Sequence, residues 1–365
     1  HRIMKIKNIF FAAILVLAGF SCSMEDDAIM NDVEKGIEEA TEAYTVLDFG
    51  VAFNEMATKA STTVVPGEDR PATGDENNDE KKISEVSVFL LEDGKVIGIL
   101  IPQNRNQVSS NSDGSITLKD LKFVTKYKTN RTLDAHVVIN GNQFLKNINI
   151  GDAQSALNQQ ISGCLSADQL IKYGSTRIVF GKDITNSYSS PSVAENNPTT
   201  ILVKVSHVAA RLDFSQFDVT LKGFEGDPTV VFDEAKFVNL QQNGKIVEGD
   251  ASVNVKDGAF LNRSNRIGTR WTDMGTAYGY ANQYRQDSEM NTALYVKFTV
   301  DGRTFEKTYP INPAGITKEV DHNGIKGGYL YDIKVRWTIT PDWGDSTIEF
   351  YTRDWVHNSI PEIVL

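Results

Sequence analysis

The chain has 365 residues, 40% hydrophobic and 9% aromatic, which is enough apolar material for two ordinary cores. Its 48 acidic residues outnumber 37 basic ones for a net charge of −11; such a surface repels phosphate backbones and anionic headgroups, no basic stripe reverses it, and nucleic-acid binding is excluded. The 2 cysteines, Cys22 and Cys164, have no zinc-ligand spacing and exclude a disulfide framework.

Lys5 and Lys7 open the chain, an apolar run follows over residues 9–20, and Ser21-Cys22 leads into Glu25, Asp26 and Asp27. A basic start, a short apolar core and a small residue before the cut read as a secretory signal over residues 1–21. The apolar run is short of the ~20 residues that a membrane-spanning helix needs. Met4 reads as the start, with His1, Arg2 and Ile3 as an extension before it. The segment resembles the lipobox of bacterial lipoproteins, in which the cysteine is acylated and becomes the new N-terminus; Gly19 stands where that pattern prefers leucine. Each buried lipid methylene on Cys22 would contribute ~0.8 kcal/mol, so several chains hold firmly. Removing the signal takes away Arg2, Lys5 and Lys7 and no acid, deepening the acidic excess. Cys164 is then the one remaining thiol, read as a packing residue.

Residues 22–45 read as an acidic tether with a weakly helical stretch over 32–43. From Val46 the pattern turns to period two: Leu47, Phe49, Val51 and Phe53 alternate with Asp48, Gly50, Ala52 and Asn54, a half-buried strand over 46–56. Residues 57–82 form a polar, charged loop that cannot bury a core. Strands follow from Val86 and over 96–101, joined at Asp93-Gly94, then over 116–121 behind Asp113-Gly114 and over 133–140. Residues 151–172 suggest one or two short helices, and 183–200, rich in Asn, Ser and Pro, a linker. A second β-rich half begins at Ile201. Asp301-Gly302 turns 295–300 into 303–309, setting Phe298 opposite Phe305. Tyr329, Tyr331, Ile333, Val335, Trp337 and Ile339 alternate as a core-facing row. The fold class expected is all-β with minor helix, in two β-sandwich-like domains, 46–200 and 201–365. No fixed-period repeat is present.

Signals for catalysis are missing. The 5 histidines are scattered, and HExxH, GxSxG, a phosphate loop and a strand-to-helix GxGxxG are absent. Asn111, Asp113 and Gly114 resemble the start of a calcium loop without its later ligands and read better as a hairpin turn. The many carboxylates leave a glycosidase-like pair open, but the expectation is a non-enzyme needing no metal or cofactor. Trp271, Tyr278 and Tyr280 lie in an aromatic segment, 271–284, that suits either a sugar-stacking loop or, preferably, a surface loop packed on its own rings.

Four features together resemble the fimbrillins, the type V pilins of Bacteroidales, in both the FimA-like and Mfa-like branches. They are the lipoprotein signal ending at Cys22; the strand from Val46 with its polar loop and the following Ile83-Ser84-Glu85-Val86; the run Val203-Lys204-Val205-Ser206-His207-Val208-Ala209-Ala210-Arg211-Leu212; and the tail 343–365 with Arg353-Asp354-Trp355-Val356. The resemblance covers nearly the whole chain. It implies tandem transthyretin-like domains, a precursor held at the outer membrane by its lipid, and a trypsin-like surface protease that cuts behind the first strand. Carried onto this sequence, it places the cut at Lys59–Ala60. Arg70 is the less favoured site because Pro71 follows it, and the family more often has arginine where Lys59 stands. The removable strand would carry Leu47, Phe49, Val51 and Phe53. A neighbouring copy would then donate its tail, anchored by Ile348, Phe350, Thr352, Trp355, Val356, Ile360, Ile363 and Leu365, as a strand added in trans. Partners implied are other copies, related fimbrial subunits, the protease, and surface ligands of hosts or other bacteria. The alternatives are a fimbrial anchor or tip protein, or a glycan-binding surface lipoprotein that does not polymerise.

Overall fold

The computed structural model describes residues 42–53, 78–112, 114–258, 266–283, 289–311, 324–342 and 345–354. Cys22, Lys59, Ala60, Arg70, Asp113, Trp355, Val356, Ile360, Ile363 and Leu365, and nearly all of the expected tether, lie outside them.

The fold is all-β. Nine strands make up the first half of the described chain: β1 (Tyr44–Phe53), β2 (Val86–Glu92), β3 (Lys95–Leu100), β4 (Val108–Ser110), β5 (Ile116–Lys126), β6 (Thr132–Ile139), β7 (Gln160–Ser162), β8 (Lys172–Val179) and β9 (Thr199–His207). Asp93 and Gly94 take φ of +50° and +71°, the left-handed pair that a two-residue hairpin requires, and they fold β2 onto β3. Eight of these strands form one sheet in the order β3-β2-β6-β8-β9-β1-β5-β4. The β8–β9 ladder is only Lys172↔His207 and Tyr173↔Ser206, so the sheet turns there. Leu90, Val137 and Ile178 from one side of that corner and Phe49, Leu118 and Val203 from the other share a single buried cluster. The sheet therefore folds over itself as a sandwich.

The second half holds β10 (Ala210–Leu221), β11 (Val230–Val238), β12 (Leu240–Gln241), β13 (Asn243–Lys245), β14 (Val255–Lys256), β15 (Arg266–Ile267), β16 (Arg270–Gly279), β17 (Ala293–Val300), β18 (Arg303–Pro310), β19 (Tyr329–Ile339) and β20 (Asp345–Asp354). Two four-stranded sheets, β16-β10-β19-β20 and β15-β11-β17-β18, close around Phe217, Trp271 and Ile333 from one side and Phe232, Val296 and Phe298 from the other. Asp301 and Gly302 repeat the left-handed turn at φ +46° and +79°, and Phe298 pairs with Phe305, ring centroids 5.2 Å apart and nearly parallel. Tyr331, Ile333, Val335, Trp337 and Ile339 are all buried, as their alternation requires.

The two sandwiches share a device. β1 runs antiparallel to β5 and parallel to β9; β10 runs antiparallel to β16 and parallel to β19. Each ladder to the antiparallel partner is broken by one irregularity, after Leu47 and after Phe214. The topology thus repeats where the sequence shows no period. A third cluster, with Phe89, Val138 and Ile161 from the first half and Ile246, Tyr280 and Leu330 from the second, lies between them, and β7 pairs with β13 across the same junction.

Within 151–172 the two expected short helices are 3-10 turns at Gln154–Leu157 and Ala167–Gln169, with β7 between them. Three expectations are corrected. Ile201 lies inside β9, which belongs to the first sheet, so the chain passes to the second sandwich at Val208–Ala209 and not at 201. The segment 183–200 is no free linker: Ile184 and Ala194 are fully buried, because the segment packs back on the first sheet. The aromatic segment is strand up to Gly279, paired with β10, and not a loop.

Candidate functional site

β1 is the first described strand in sequence, yet it is interior in its sheet. Its alternation sends Leu47, Phe49, Val51 and Phe53 into the sandwich core, all but fully buried. At about 1.5–3 kcal/mol each, these four anchors contribute roughly 6–12 kcal/mol gross. Backbone ladders hold both edges. Leu47 through Phe53 pair in parallel with Thr199 through Val205, and Tyr44 through Val51 pair antiparallel with Lys126 through Ile116.

The strand is not half-buried, as its alternation suggested. Val46 is 0% exposed although it belongs to none of the core clusters, and Gly50 is buried too. At Gly50 the crowding is lateral: an added Cβ would sit 3.2 Å from Leu202 Cδ1 and 3.4 Å from the Ile116 carbonyl. The segment that sequence alone suggested was a linker meets β1 on either side of Val46. Tyr188 exchanges two backbone hydrogen bonds of 2.8 Å with Tyr44, and the chain rejoins the sheet at Thr199 beside Leu47. Between these points lies α2 (Pro191–Glu195; the earlier short helix α1 is Asn142–Leu145), capped by Ser190, with Ala194 as its buried residue. α2 packs on β1 and β5, and Lys122 from β5 donates 2.8 Å to the Glu195 carbonyl.

Charges fasten the entry to β1. Lys126 pairs with Glu42, and the Tyr44 hydroxyl donates 2.6 Å to the same carboxylate. Those hydrogen bonds hold the Glu42 carboxyl below the usual carboxylate range and raise Tyr44 and Lys126 above theirs. The pair is on the surface, where such contacts contribute little.

On the far side of the polar loop, a 3-10 turn over Asn78–Lys81 carries Glu80, fully buried. Its Oε2 accepts 3.0 Å from Arg211 Nη1, its Oε1 accepts from the Tyr278 hydroxyl, and its carbonyl accepts 2.8 Å from Lys172 Nζ. Arg211 also donates 2.9 Å to Asp213, which accepts from Thr276. Burial opposes the Arg211 charge, but the Asp213 and Glu80 carboxylates outweigh it and raise its pKa; burial, then Glu80, raises Tyr278. This knot joins the turn to β10 and β16. An arginine inside the apolar run 203–212 was the one sequence signal for it.

Trp271, Tyr278 and Tyr280 are each engaged within the fold. Trp271 packs on Phe217 and Phe232, Tyr278 bonds Glu80, and the Tyr280 hydroxyl donates 2.6 Å to the Gly163 carbonyl. Cys164 is half-buried at φ +55°, with Gln143 Nε2 3.1 Å from its sulfur; burial raises its thiol pKa. Asn111 Nδ2 donates to Ser115 and Thr117 hydroxyls, as a hairpin turn would.

In the tail, Ile348, Phe350 and Thr352 lie on β20, opposite Val335, Ile333 and Tyr331 of β19. β20 is thus the last strand of its own sheet, at its edge.

No family model and no curated protein sequence matches the chain. Solved structures do. A crystal structure from Parabacteroides distasonis ATCC 8503, assigned to cell adhesion, superposes with a TM-score of 0.59 at 17% identity, covering 87% of this chain and 99% of that one. The two chains share one fold. Looser overlaps occur with a fimbrilin (FimA) from Porphyromonas gingivalis W83, with TM-score 0.47, 15% identity and coverage of 85% and 98%, and with the tip fimbrial protein Mfa3 from Porphyromonas gingivalis, with 0.46, 12%, 86% and 100%. The structural neighbours are fimbrial and cell-adhesion proteins of Bacteroidales.

Proposed function

We propose that the chain is a structural subunit of a surface fimbria, exported as a precursor lipidated at Cys22 and matured by a cut at Lys59–Ala60. The single observation that carries this reading is the position of β1. A strand at the start of the described chain sits between β5 and β9, and a long polar loop separates it in sequence from β2. One cut in that loop frees β1 without severing any other strand among the described residues. Its departure leaves a groove with two unpaired ladders and an apolar floor, which a strand from a neighbouring copy can fill. The fold shared with a protein assigned to cell adhesion supports the same reading.

The donor is the tail of the next copy. Among the described residues β20 has one ladder neighbour, β19, so it can peel away without tearing a second described ladder. The exchange replaces one set of strand contacts by a similar set, and the lost translational freedom is offset only if the anchors seat well. The lipid is then a temporary handle, lost together with β1.

Purified precursor treated with trypsin should release residues up to Lys59 and give ladders on denaturing gels loaded without boiling. A clean cut that leaves only monomer sinks the proposal. N-terminal sequencing of surface material separates positions in the fibre: a start at Ala60 marks a shaft subunit, a blocked Cys22 an anchor.

A further inference from the structure

We infer that α2 and its flanking segment, residues 188–199, form an outer wall of the β1 groove. They make the position of Val46 a second reading point for whichever strand occupies it. The inference rests on the strand-exchange reading above and deepens it.

A groove in an open sheet reads one face of an incoming strand, because alternate side chains point to solvent. Here one end reads both. The backbone bridge between Tyr44 and Tyr188 and the pairing of Leu47 with Thr199 fix the two points where the segment meets the sheet, and α2, between them, packs on both β1 and β5. Ala194 and Val46 are each 0% exposed, and neither belongs to a core cluster. By alternation Val46 points away from Leu47 and the sandwich core, toward the side α2 occupies. Beyond the crossing the cover ends: Leu202 on β9 is 52% exposed, and Ala52 is only half-buried.

The occupant must therefore present two consecutive apolar residues, as Val46 and Leu47 do, where it passes under α2. It must stay small at the position of Gly50, where Leu202 and Ile116 crowd the strand. The tail of a second copy meets this requirement at few registers. Around its anchors Ile348, Phe350 and Thr352 the intervening residues are Glu349 and Tyr351, a carboxylate and a large ring. A pair such as Trp355-Val356 or Ile363-Val364 is apolar on both faces. The wall therefore selects the register of the donated strand as well as its composition.

Two measurements test this. In the intact full-length chain, Ala194→Asp should speed hydrogen–deuterium exchange of the amides of residues 44–48 by about tenfold or more, since a carboxylate cannot stay seated on an apolar face, with β2 and β6 unchanged. Unchanged rates over 44–48 overturn the inference. Should Ala194→Asp not fold, Lys122→Ala, which removes the tie to the Glu195 carbonyl, should give the same change in smaller degree. In trypsin-cut chain, a fluorescent peptide of residues 42–56 should bind, and its Val46→Asp form should bind about tenfold or more weakly, whereas Ala52→Ser should change little. Equal losses for the two peptides overturn the wall. If not even the unmodified peptide enters, the strand-exchange reading falls, while exchange in the intact chain still judges the wall.

Discussion

His136 shows what a single buried group adds. It is 3% exposed on β6, with Nδ1 2.7 Å from the Tyr173 hydroxyl and Nε2 without a hydrogen-bond partner among the described residues. Burial depresses its pKa, and Asp134 opposes only in part. The folded value lies below the unfolded one, about 6.5, so the unfolded chain takes the proton first. Stability from this site is present above that pH and is lost as pH falls through the depressed folded value. His136→Gln should flatten the fall of the urea midpoint over that window relative to the parent. Parallel curves for the two would count against it. Glu92 works in the acid range: the bidentate hydrogen bonds from Arg131, of 2.6 and 2.8 Å, hold its carboxyl below the usual value, so its contribution fades only as pH falls through that lowered value.

At the scale of elements, the alternating rows and two-residue turns were legible in sequence. β1, the β2–β3 hairpin, the β17–β18 hairpin and the buried row of β19 follow from period two and from Asp-Gly pairs. The second face of β1 was not legible, because Val46 reads like any strand-end residue until α2 packs on β1. The polar composition of 183–200 concealed one buried alanine and one buried isoleucine, too few to register as a pattern. The corner between β8 and β9 was equally silent. There Gly174 lies so close to its neighbour that an added Cβ would meet the Lys204 carbonyl at 1.8 Å. Gly174→Ala should destabilise by about 3 kcal/mol or more through overpacking, read as a lower urea midpoint at unchanged slope. A neutral result would mean that the strands part at no cost.

For the whole molecule, the question is whether the two sandwiches unfold together. The described residues form one compact unit, with a shared cluster and the buried knot of Glu80, Arg211 and Tyr278 at the junction. The 4 tryptophans, Trp271, Trp337, Trp343 and Trp355, all belong to the second half, so tryptophan fluorescence reports that half alone while far-ultraviolet dichroism reports both. The two signals should coincide in the parent. Arg211→Met strands the Glu80 carboxylate and should cost about 3–5 kcal/mol, separating the two curves. Coincident curves in the variant would show that the apolar cluster suffices to couple the halves.

The sequence by itself determined the all-β class and the paired strands, because alternation and turn chemistry are local properties. It also carried the resemblance that pointed to β1. The tertiary structure decided what neighbours each strand has: β1 in the sheet interior beside β9, the boundary at Val208–Ala209, the burial of Trp271, Tyr280 and Val46, and the packing of α2 on β1. Those facts depend on pairings between residues far apart in the chain, and one residue's pattern cannot encode which distant strand or helix will lie against it.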